Sequence, residues 1–206
     1  MAIGYACLTV GVLGTKIKSC TLKNAEDKRL AALISHNLKA LETMLNYNIE
    51  NRIDLFRISS EIIPFASNTV NTLPWQTLFR NELDSLSEIL SASSLRMSMH
   101  PGQYTVLNSP ISRVVNNAVA DLVYHADFLD SIKASSDSKI VLHIGGVYGD
   151  KGSAINRFIK AYNLLPVKVK SRLVLENDDT LFNVDDVLRV SDSIDLPVVF
   201  DVLHNT

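Results

Sequence analysis

Cysteine is scarce in this chain: Cys7 and Cys20 are the only two among 206 residues. Two unclustered cysteines build neither a disulfide framework nor a zinc motif, and a reducing cytoplasm is the simplest setting for them. A basic excess is lacking too. Twenty Lys and Arg against 22 Asp and Glu leave a net charge of −2, so the whole chain carries no electrostatic signal for nucleic acid. Bound metal cations can supply a positive field that side chains do not. No apolar run reaches the roughly 20 residues that span a bilayer. The start, "MAIGYACLTV", has neither the basic n-region nor the cleavage site of a signal peptide. There is no internal repeat, low-complexity segment or block of like charge. A glycine-rich phosphate fingerprint is also absent, because "CLTVGVLGTK" has the wrong glycine spacing for G-x-G-x-x-G.

What is present is a chain 47% hydrophobic and 20% charged, enough to build a sizeable core. Short apolar runs alternate with longer amphipathic ones. "IGYACL", "DLFRIS", "LRMSMH", "KIVLHIGG", "RLVLEND" and "LPVVFDVLHN" read as six strands. Between them, "AEDKRLAALISHNLKALETMLNYNIEN", "WQTLFRNELDSLSEILSAS", "ISRVVNNAVADLVYHADFLDSIKAS", "KGSAINRFIKAYNLL" and "NVDDVLRVSDSI" read as five helices. In the first helix Leu30, Leu33, Ile34, Leu38, Leu41 and Leu45 recur at three- and four-residue steps. In the second, Leu78, Leu83, Leu86 and Leu90 are expected to face inward. Pro110 suits the first turn of the third.

Strand–helix alternation implies right-handed βαβ units and a parallel sheet. A doubly wound sheet and a TIM-type (β/α) barrel both fit. The absent phosphate fingerprint favours the barrel, and so do the polar residues that follow nearly every strand, since barrel sites are assembled from many βα loops at one face. A complete barrel takes about 250 residues. The expectation is a single (β/α)-barrel domain over residues 1–206, with about six of eight βα units and the C-terminal part missing.

The strand ends carry the chemistry. They supply Tyr5; Arg57, Ser59, Ser60 and Glu61; His100 with Gln103 and Tyr104; His143 before Gly145 and Gly146; Glu176 with Asn177, Asp178 and Asp179; and Asp201 with His204. Three of the five histidines lie at strand ends. His36 and His125 fall inside helices and read as structural or surface residues. One strand-end histidine is usually a hydrogen-bonded core residue, and one carboxylate a loop cap. Four strands each ending in His, Glu or Asp are another matter, because buried carboxylates beside neutral imidazoles are costly unless paired or metal-bound. Imidazole plus carboxylate is a ligand set for zinc, manganese or iron.

The motifs "GYACL", "LFRISSEIIPFAS", "SMHPGQY", "LHIGGVYGDKG", "LENDD" and "FDVLH" resemble, in order and spacing, those of the UV damage endonucleases. These are barrel enzymes related to endonuclease IV and to xylose-isomerase-like proteins. The resemblance implies a metal-dependent DNA repair endonuclease that nicks damaged double-stranded DNA 5′ to pyrimidine photodimers by phosphodiester hydrolysis. It implies divalent metal ions, manganese first, with zinc or magnesium as alternatives. It assigns His100, His143, Glu176, Asp201 and His204 as metal ligands, with Glu176, His143 and Asp201 catalytic. Gln103 and Tyr104 are the pair that wedges into the duplex, and Tyr5 lies at the damaged-strand side. No membrane and no obligatory protein partner are expected, and the location is cytoplasmic, at the nucleoid when acting.

Two departures from the family pattern stand out. Asn68 occupies the place of a family histidine after "IPFAS", and Asn205 that of a second histidine after "LH". The family also draws ligands from two further strands. Two alternatives therefore stay open: a truncated remnant that binds metal or DNA without cutting, and a sugar isomerase of the xylose-isomerase-like barrels.

Overall fold

A computed structural model describes residues 2–204. The chain divides into two compact units, residues 1–100 with 127–138, and residues 101–126 with 139–206. Asn205 lies outside the described residues.

The first unit holds β1 (Gly4–Ala6), β2 (Leu55–Ile58) and β3 (Arg96–Met99) as parallel neighbours, with Tyr5 opposite Phe56 and Phe56 opposite Met97. Phe56, Ile58, Met97 and Met99 are buried while their neighbours along each strand are less so, the period-two pattern of a pleated strand. Gly4 is required by contact. A Cβ there would run into the Leu55 side chain and carbonyl, so the close approach of β1 to β2 tolerates no side chain.

Helix α1 (Asp27–Glu50) buries all six apolar residues of its predicted stripe. It packs on α3 (Arg80–Ser91), which buries Leu83, Leu86 and Leu90. Leu78 departs from expectation and is exposed. The predicted single helix is broken at Phe79, which leaves a separate turn α2 (Trp75–Leu78) before α3. The break resets the helical phase, so Trp75 and Phe79 turn inward in place of Leu78.

The second unit holds β4 (Lys139–Leu142), β5 (Leu173–Glu176) and β6 (Val198–Val199), also parallel neighbours, with Val141 opposite Val174 and Leu175 opposite Val198. Every residue of β5 is buried, as in strands covered on both faces. Helix α4 (Ser112–Ser131) crosses the division between the units and starts two residues after Pro110. Helix α5 (Lys151–Asn163) is capped by Asp150, whose carboxylate accepts from the Ser153 amide at 2.6 Å. A short turn α6 (Val167–Lys170) was not anticipated by periodicity. Helix α7 (Val184–Ile194) opens on a capping box: Asn183 accepts from the Asp186 amide and Asp186 from the Asn183 amide.

Strand order is sequential within each unit, with no reversal. A doubly wound sheet reverses order at its switch point, whereas a barrel does not. The fold class is α/β, with six strands of a TIM-type (β/α) barrel among the described residues. No described helix is long and apolar enough to cross a membrane.

Candidate metal centre

The second unit gathers four of the expected ligands. His143 follows the last residue of β4 and Glu176 is the last residue of β5, so parallel pairing of the two strands sets them side by side. His143 Nε2 lies 3.3 Å from Glu176 Oε2, and His143 Nδ1 lies 3.3 Å from the Glu176 carbonyl. Glu176 is only 4% exposed. After His143 the chain turns at Gly145, with φ of +111°. A Cβ at Gly145 would strike the Asn108 side chain and Val106, so the loop passes closely over the 106–108 segment.

Asp201 and His204 are held by Asn177, a fully buried residue just past Glu176. The Asn177 amide donates to the Asp201 carbonyl at 3.0 Å and its oxygen accepts from the Asp201 amide at 2.9 Å. This reciprocal pair does the work of a ladder step beyond β6, which is only two residues long. Asp201 Oδ1 then accepts from the Leu203 amide at 2.8 Å, an Asx turn that brings His204 around. His204 Nδ1 lies 2.9 Å from the Asn177 carbonyl and 3.7 Å from Asp201 Oδ2. The two imidazoles are 5.5 Å apart, centre to centre. One donor atom each from Glu176, Asp201 and His204 falls within 4.8 Å of the others. Sequence reasoning collected Asn177 at the end of the fifth strand but gave it no role, although an amide directly after a buried strand-end glutamate was the available signal.

The electrostatics suit a cation. The His204 pKa is raised, first by its hydrogen bond to the Asn177 carbonyl and then by the charges of Asp201, Glu176 and Asp179. Those carboxylates favour positive charge at this spot. With Nδ1–H donated to a backbone carbonyl, His204 keeps the Nε2 lone pair outward, the tautomer a metal ligand needs. The His143 ring also sets Nδ1 near a backbone carbonyl, but its Nε2 faces the Glu176 carboxylate.

The other expected residues are placed as follows. His100 follows β3 in the first unit, half-buried, with its carbonyl accepting from the Ser60 hydroxyl. Tyr5, also in the first unit, donates to Asn48 Oδ1 at 2.6 Å, shares a 2.6 Å contact with the Thr9 hydroxyl, and stacks its ring near Phe56. Gln103 and Tyr104 are exposed, Tyr104 by 67%. Asn68 turns its oxygen to the Val70 amide at 3.0 Å. Asp178 is a loop cap, accepting from the Thr180 and Phe182 amides. His36 is half-buried and sits 2.9 Å from the Lys16 carbonyl, while His125 is buried within α4 beside Asp121.

A family model described as UV-endonuclease UvdE matches residues 1–206. The chain belongs to the UV-endonuclease UvdE family. The UV DNA damage endonuclease of Clostridium perfringens is 42% identical to it over 205 residues, covering 100% of this chain and 50% of that protein. The chain therefore spans half the length of that relative. The crystal structure of SacUVDE superposes with a TM-score of 0.95 at 38% identity, covering 100% of this chain and 70% of that one. Endonuclease IV from Thermus thermophilus gives a TM-score of 0.56 at 19% identity, over 79% of this chain and 58% of that one. At that identity the likeness shows the fold alone. Within this UvdE-family chain, the His143, Glu176, Asp201 and His204 donor set fits a divalent metal: two imidazoles beside two carboxylates, one of them buried.

Proposed function

We infer that this protein is a metal-dependent DNA repair endonuclease that nicks DNA on the 5′ side of UV photoproducts by phosphodiester hydrolysis. The observation that carries the reading is the His143, Glu176, Asp201 and His204 cluster at the ends of β4, β5 and β6 in a UvdE-family chain. His100 joins as a ligand on the strength of the resemblance. A divalent metal, manganese by the same resemblance, supplies Lewis-acid activation of water and neutralises phosphate charge.

The chain's own residues set the stage for this. Glu176 and Asp201 hold the positive charge. The Asn177 carbonyl keeps the Nδ1 proton of His204 in place, so Nε2 stays open to a ligand. Lesion choice rests on deformability, since a photodimer stacks poorly and lowers the cost of unstacking, normally a few kcal/mol. Gln103 and Tyr104 then fill the gap, Tyr104 offering a stacking face. Tyr5 lies at the damaged-strand side. The substrate is damaged double-stranded DNA and the setting cytoplasmic.

The test is a supercoiled plasmid carrying UV photodimers, incubated with the protein and manganese. Nicks at photodimers, absent from unirradiated plasmid, are expected, and an intact irradiated plasmid would refute cutting by this chain. One observation favours a second reading, binding without cutting: Asn68 stands where the family has a histidine, and its oxygen is engaged in a turn. Lesion binding with bound manganese but no nicks would select it.

A further inference from the structure

Exposed recognition residues need a fixed base, and the 101–108 segment has one. Thr105 directly follows Tyr104 and is buried, at 4% exposure. Its amide donates to the Gly102 carbonyl at 2.9 Å, closing the turn that carries Gln103 and Tyr104. Its hydroxyl donates to Asp121 Oδ2 at 2.6 Å. Asp121 is itself buried, at 4%, on α4. A short charge-assisted hydrogen bond between two buried groups is among the stronger positional restraints a side chain can make. His125, one turn along α4, sets its Nδ1 2.7 Å from the Asp121 carbonyl and 3.7 Å from the carboxylate. The far end of the segment is tied separately: Asn108 Nδ2 donates to the Gly146 carbonyl at 2.8 Å, and Arg157 Nε to the Asn108 carbonyl at 2.7 Å.

We propose that Thr105 and Asp121 are positioning residues for lesion recognition, fixing the turn from which Gln103 and Tyr104 meet the DNA. The proposal rests on the reading of those two residues as the wedge. Neither Thr105 nor Asp121 touches the duplex. They act through Tyr104 by holding its backbone before DNA arrives, so that binding does not have to order the turn. The hydroxyl is the working group, because a methyl in its place leaves the buried carboxylate without that donor and the turn without its tether.

The experiment measures binding of metal-loaded protein to a duplex with and without one photodimer, together with manganese content and amide hydrogen exchange. The variants are Thr105→Val, Thr105→Ser, Tyr104→Ala and the Tyr104→Ala/Thr105→Val double. Thr105→Val is expected to weaken binding to the damaged duplex by about tenfold, the scale of one charge-assisted hydrogen bond. It should keep its manganese and speed exchange at residues 102–105 only. Thr105→Ser should restore binding. In the Tyr104→Ala background Thr105→Val should cost clearly less than it does alone, leaving only the share carried by Gln103, the non-additivity of residues acting as a unit. If Tyr104→Ala loses the preference for damage while Thr105→Val keeps it, or if the two losses add, the positioning role is overturned and the wedge reading stands. If Tyr104→Ala keeps the preference, both fall.

Discussion

Two regions of the second unit are built on opposite plans. In the 176–204 region the working groups face each other. Glu176 is buried, and the Asn177 side chain and carbonyl fix Asp201 and His204. In the 101–108 segment Gln103 and Tyr104 are exposed, while Thr105, Leu107 and Asn108 beneath them are buried. The difference teaches what each proposed task would require. A cation demands donors that converge before it arrives, because like charges must be held together against their repulsion. A distorted duplex demands a surface that projects, with rigidity confined to the backbone beneath it.

The largest effect should come from the convergent region. Glu176→Ala should lower manganese affinity by more than about a hundredfold, beyond the range of outer-shell changes, and abolish nicking, read by elemental analysis and plasmid relaxation. Retained metal would break the comparison. Asn177→Ala should cost roughly 10–100-fold in manganese affinity, the range for residues that orient ligands, read by titration. An unchanged affinity would mean that Asp201 and His204 hold their places without the clamp. Tyr104→Ala should leave manganese content intact and weaken damaged-duplex binding by about 1–3 kcal/mol, one lost stacking partner. Loss of metal there would show that the two regions are not separable. The smallest effect is the control: Asn183→Ala at the cap of α7 should cost about 1 kcal/mol of stability, a melting shift of roughly 2–4 °C, with metal affinity unchanged.

Much of this was legible in the sequence because the signals were periodic or terminal. The α1 stripe was read residue by residue, since its three- and four-residue steps admit one buried face. The strand ends were legible because His or Glu at the end of an apolar run breaks its pattern. Leu78 was misplaced because periodicity assumes an unbroken helix, and the interruption at Phe79 is a backbone event with no Pro or Gly to announce it. The sixth strand was read as ten residues where two are paired, because apolar residues such as Phe200 and Leu203 look like strand whether or not a ladder holds them. What Asn177 and Thr105 do was invisible for another reason. Their roles lie in hydrogen bonds to residues 24 and 16 positions away, and pattern reading has no access to such partners.

The Asn177 clamp grips Asp201 by its backbone amide and carbonyl, not by its carboxylate. The frame that sets position 201 is thereby independent of what side chain sits in it, apart from the short turn to Leu203, which an asparagine would keep. Position 201 is therefore an interchangeable socket: a designer can trade charge for neutral oxygen there and leave the scaffold untouched.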